Sequence, residues 1–189
     1  IDIIFGADPL CFLRAFRFAA RFGHTIQQEI LNPSPQLLQR FKENTKNHPA
    51  ARELMKMIKG NKIPQVFDWY VQANIFNLLF DPQNKSHLSY NRKRLEDALE
   101  KFDEISSNDF IANFTSSHPN NCKYISILFD ENNFFNEKMV VVLSSIYFQN
   151  HDDILIPKTL GLSPEILISV KKVISHTNEF IRLKGKTLD

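Results

Sequence analysis

Glycine is scarce in this chain, with 5 residues in 189, and cysteine scarcer, with 2. Few glycines argue against a fold built on tight β-turns and favour long helices. Cys11 and Cys122 stand far apart and form no metal-ligand spacing, so neither a disulfide framework nor a zinc ribbon is expected and reduced thiols are the default. None of the 6 histidines belongs to a His-x-x-x-His pair, so no metal site is predicted. No apolar run reaches membrane-spanning length. A Gly-x-Ser-x-Gly elbow and a glycine-rich phosphate loop are both missing, which removes the commonest hydrolase and NTPase signatures. An excess of one charge is missing too. Lysine and arginine number 23 against 21 acidic residues, so any nucleic-acid role must come from local basic faces.

What is present is a helical, phenylalanine-rich composition: 43% hydrophobic residues and 17 phenylalanines. That is enough for one domain or two small helical subdomains with a real core. The strongest local signal is the run from Asp8 to Gly23. Asp8 is a good N-cap, Pro9 suits the first helical position, and Gly23 sits where a left-handed residue closes a helix. Leu10, Leu13, Phe16 and Ala20 make an apolar stripe. Cys11, Arg14, Phe18 and Arg21 recur on a second stripe, with Arg17 beside it.

The same run resembles the neck-helix motif of the tRNA nucleotidyltransferases (CCA-adding enzymes) and related bacterial poly(A) polymerases. The residues carrying the likeness are Asp8, Pro9, Leu10, Leu13, Arg14, Arg17, Phe18, Ala19, Arg21, Phe22 and Gly23. The resemblance implies an all-α fold, a helical neck-plus-body array like the C-terminal part of the class II enzymes. It also implies that Asp8, Cys11, Arg14 and Arg17 occupy the nucleotide-binding positions. Two departures fall there. Ala7 stands where the family has an acidic residue, and Cys11 where it has an arginine that reads the base edge of CTP or ATP beside the aspartate. Cysteine offers one weak donor on a short side chain, so half of that protein template is lost. The family's second arginine motif has no clear counterpart; Arg40 is the nearest.

In the family, a head domain with a Gly-Ser turn and an Asp-x-Asp pair binds the metal ions of nucleotidyl transfer. This chain contains neither signature. The expectation is therefore a neck and body portion, not catalytic on its own, with no cofactor in the chain. Mg2+ and CTP or ATP enter only with an intact head. The expected partner is tRNA or another structured RNA, with Arg21, Arg92, Lys93 and Lys172 as candidate phosphate contacts. The alternative is a repurposed, non-enzymatic structural subunit of a larger assembly, whose partners are protein subunits. Cytoplasm and mitochondrion are both open as compartments.

Further along, residues 1–80 read as neck and first body helices and residues 81–189 as the remaining body and tail, divided at the polar loop from Asp81 to Ser89. Thr25 is expected to cap a short helix through Leu31, and Gln36 to Asn44 to form the next. Asn47-His48-Pro49 opens a helix ending near Gly60, followed by one aromatic helix from Gln65 to Phe80. Arg92, Lys93 and Arg94 open an amphipathic helix on Leu95, Ala98, Leu99, Phe102 and Ile105. Ser107 caps a short helix. Cys122 to Phe129 fits strand or helix by period alone, its surroundings favouring helix; Asp130 to Asn133 reads as a break, and Glu137 to Gln149 as a buried helix. Ser163-Pro164-Glu165 starts the last one, with a basic end from Arg182 to Lys186 expected to fray or touch a partner.

Overall fold

The computed structural model of the chain describes residues 5, 7–8, 10–45, 50–82, 88–117, 131–148, 156–157 and 160–186. Among these the fold is all-helical, without strands. The chain divides into two compact units, Ile1–Tyr90 with Asp153–Ser163, and Asn91–Asp152 with Pro164–Asp189.

The first unit begins with α1 (Leu10–Phe22). Its start is capped by Asp8, whose Oδ1 accepts the Leu10 N–H at 3.0 Å. Its end is a Schellman turn. Gly23 takes φ +72, and the His24 N–H reaches back to the Ala19 carbonyl at 2.9 Å. There follow α2 (Gln28–Leu31), α3 (Pro35–Thr45), α4 (Ala51–Ile58), α5 (Ile63–Gln72) and α6 (Phe76–Phe80). Helix α1 packs on α4 and α5, and α6 on α3 and α5. Phe12, Phe16, Phe41, Phe67 and Phe80 are fully buried. Phe67 meets Tyr70, Phe76 and Phe80 edge-on or tilted at 5.6–6.0 Å, the geometry that aromatic quadrupoles favour. Leu88 is buried, and the Tyr90 hydroxyl donates to the Pro64 carbonyl at 3.1 Å, which ties the segment after α6 back to α5.

The second unit contains α7 (Arg92–Ile105), α8 (Asn108–Ser117), α9 (Glu131–Tyr147) and α10 (Pro164–Lys186). Helix α9 packs against both α7 and α10. Leu95, Phe102, Met139, Leu143, Val170 and Ile174 are buried.

Three local expectations change. Thr25 caps nothing: α2 starts at Gln28, preceded by Gln27 without a side-chain cap. The aromatic helix expected over Gln65 to Phe80 is two helices, because Asn74 takes φ 57 and the Ile75 N–H turns back to the Tyr70 carbonyl. Asn132 and Asn133 lie inside α9, which begins at Glu131 rather than Glu137. Helix α10 runs unbroken to Lys186. The Ser107 cap forms, its hydroxyl accepting the Phe110 N–H at 3.2 Å. The segments Asn47 to Pro49, Cys122 to Phe129 and His151 to Asp153 lie outside the described residues.

Candidate nucleotide and RNA site

Helix α1 shows three faces. Phe12, Leu13, Phe16, Ala19 and Ala20 are buried. On the flank facing α4, charges converge on one carboxylate. Glu53 of α4 is only 5% exposed. Its Oε2 accepts from Arg17 Nε at 3.3 Å, and its Oε1 accepts from Lys56 Nζ at 3.0 Å. Arg14 Nε stands 3.6 Å from the same Oε1. Arg14 also donates from Nη1 to Asp8 Oδ2 at 2.7 Å. The result is an alternating chain from Asp8 through Arg14 to Glu53, then to Arg17 and Lys56.

The electrostatics follow from this chain. Burial alone raises the Glu53 carboxyl, but the hydrogen bond from Lys56 and the charges of Arg17 and Arg14 outweigh it and hold the group below the ordinary carboxylate range. Partial burial lowers Arg14, and the charges of Asp8 and Glu53 outweigh it, so its proton is held more tightly than usual. Cys11 moves the other way. Burial first, and then the Asp8 charge, push its thiol above the ordinary value, which keeps it protonated and poorly nucleophilic at neutral pH.

The third face is open. Phe18 is 42% exposed and Phe22 60%. Their rings lie nearly parallel, 8° between planes with centroids 6.1 Å apart. The Arg17 guanidinium sits over Phe18 at 4.1 Å, and that of Arg21 over Phe22 at 5.5 Å. His24 adjoins Phe22 at 6.2 Å.

Of the residues singled out in the sequence, Asp8, Arg14 and Arg17 are thus brought into one network with Cys11 beside it, and Arg21 sits at the other end of the same helix. Arg92, Lys93 and Lys172 belong to the second unit. Arg92 pairs with Glu96 at 2.7 Å and Lys93 with Asp97 at 2.6 Å, each one turn along α7. Lys172 is exposed on α10, and Arg40 is exposed on α3.

Sequence reasoning did not find Glu53. Its role depends on an arginine 36 residues earlier in the chain, a separation at which local periodicity is blind. It also passed over Lys56, Lys59 and Lys62, whose three-residue spacing was a visible signal. No group of three or more His, Cys, Asp or Glu residues capable of holding a metal occurs among the described residues. No helix among them is long and apolar enough to cross a membrane. Comparison of the chain with family models, curated proteins and solved structures finds no match in any of the three.

Proposed function

We propose that this chain is the RNA-binding helical portion of a tRNA nucleotidyltransferase-like protein and that it does not transfer nucleotides by itself. One observation carries the RNA part: two exposed, parallel phenylalanine rings on α1, each with an arginine over it. Rings left in water accept base stacking, worth about 1–3 kcal/mol per base, and the exposed Arg21 guanidinium suits a phosphate. The partner in this reading is tRNA or another structured RNA.

Nucleotide selection is not part of the proposal. Both Asp8 oxygens already accept hydrogen bonds, from the Leu10 N–H and from Arg14. Cys11, held as a thiol, has no paired donors for a base edge. CTP, ATP and Mg2+ belong to the reading only together with a catalytic head domain.

The same two observations favour a second reading, a structural subunit of a larger assembly that has given up nucleotide chemistry. There, Phe18 and Phe22 meet a protein partner.

Fluorescence anisotropy with labelled tRNA separates the two. Joint replacement Phe18→Ala and Phe22→Ala is expected to weaken tRNA binding about tenfold or more, as loss of stacking implies, with the thermal transition little changed. If the double variant binds tRNA as well as the parent, or the parent binds it no better than it binds a random polyanion, the RNA reading fails and the structural one replaces it.

A further inference from the structure

Between α1, α4 and the start of α5 lies a cavity of about 640 Å³, within the size range of small-ligand sites. Five cations line it: Arg17, Arg21, Lys56, Lys59 and Lys62. Ala20, Met57 and Val66 add apolar lining, and no Asp or Glu lines it among the described residues. Glu53, behind the wall, takes one charge's worth of pairing from Arg17 and Lys56 together. Arg21 and Lys62 stand outside that pairing, so the lining keeps a positive excess around a concave space. Like charges held this way repel, and a concave wall concentrates their field.

Two backbone hydrogen bonds cover part of what would oppose an anion. Helix α4 ends here, and its last carbonyls would otherwise present partial negative charge. The Lys59 N–H covers the Met55 carbonyl at 3.2 Å, and the Gly60 N–H covers that of Met57 at 2.8 Å. Gly60 suits this closeness: a Cβ there would lie 3.1 Å from the Met57 oxygen, a tight contact that the neighbouring backbone would have to relieve. Helix α5 begins at Ile63, so the positive end of its dipole lies beside the same space.

We propose that this cavity binds a polyphosphate group, a di- or triphosphate held by the cations that line it, Arg21 and Lys62 foremost. Several compact ammonium charges and an arginine fork around one small volume match a ligand with several negative oxygens close together. A single carboxylate would leave most of the lining unmatched. The site is separate from the Asp8–Cys11 positions and stands without the RNA reading.

The test is calorimetric titration of the full chain with inorganic tripolyphosphate in about 0.1 M salt, where exposed charges are already screened. Saturable binding with a dissociation constant below about 100 μM is expected, accompanied by a rise in melting temperature. Joint replacement of the two exposed lysines, Lys59→Ala and Lys62→Ala, is expected to weaken it at least about tenfold, the loss of two charge-assisted contacts. Lys93→Ala on α7 is expected to leave it unchanged. ATP binding equal to that of tripolyphosphate assigns the site to the phosphate group alone; tighter ATP binding adds the nucleoside. Absence of saturation, an unaffected double variant, or equal weakening by Lys93→Ala overturns the proposal. RNA that binds while tripolyphosphate neither binds nor competes overturns it too, and leaves the RNA reading standing.

Discussion

Helix α1 carries Arg14, Arg17 and Arg21, and helix α7 opens with Arg92, Lys93 and Arg94. In α7 the cations are answered inside their own unit. Arg92 and Lys93 each find a carboxylate one turn on, and Arg94 donates to the Phe148 carbonyl at 2.6 Å with its guanidinium 5.3 Å from that ring. In α1, two arginines share one buried carboxylate with Lys56, and the third lies over an exposed ring at the rim of a basic cavity. The density of basic residues along a chain is therefore a poor guide to positive potential. The positions of the acids decide it, and α7 has them at the i+4 spacing that neutralises a helix face.

The sharpest way to break this contrast is to remove the shared carboxylate. Glu53→Gln leaves three cations facing one another, and denaturant titration should show a loss of about 2–3 kcal/mol. That is less than for a fully buried pair, because Arg14 and Lys56 reach solvent. The pH dependence has a definite sign. The Glu53 carboxyl is held below its unfolded value of about 4.3, so its contribution is full above that pH and disappears as the pH falls through the lower folded value. Acid titration of Glu53→Gln should lack this component; an unchanged acid limb would mean that Glu53 is not the charge that matters there.

Next in size is the effect on the RNA binding proposed above. Arg21→Ala is expected to weaken tRNA binding about fivefold to tenfold through loss of a phosphate or stacking contact. Joint Arg92→Ala and Lys93→Ala should change it less than about twofold, since both cations are already paired. Anisotropy titrations in parallel would reverse the contrast if the α7 pair proved the more damaging. The smallest effect is expected for Asp97→Asn, which removes an exposed i,i+4 pair and should cost no more than about 0.5 kcal/mol by the same denaturant measurement.

Much of α1 was legible from residues alone, because its signals are local. The Asp8 cap, the glycine at 23 and the buried stripe all act within a turn or two. Few glycines and repeated three- and four-residue apolar spacing favoured helices, and the all-α expectation itself came with the family resemblance. The break at Asn74 was not legible. Apolar residues continue through it, and only a left-handed asparagine, a conformation open to few side chains, marks the corner. Asn132 and Asn133 misled in the opposite direction, since asparagine favours turns in isolation but is carried through α9, a helix whose later turns bury Met139, Val142 and Leu143. In the candidate site, Asp8, Arg14 and Arg17 were legible as a motif. That their charges are balanced by Glu53 was not, because tertiary packing brings that partner in. The basic cavity needs three separate segments to meet, and no window of sequence contains all of them.

The turn that closes α1 has a chemical consequence. Gly23 is exposed, its φ is +72, and an added Cβ would find no atom within 4 Å. Space is thus available there, and what the position refuses is handedness. An L-alanine would be strained by its backbone at about 1 kcal/mol, whereas a D-alanine, whose preferred φ is the mirror image, would fit. A semisynthetic chain with D-alanine at this position should be at least as stable as the parent, since it narrows the unfolded ensemble without disturbing the fold. At the residue that follows the arginine helix, the constraint on an added methyl is therefore one of handedness and not of space.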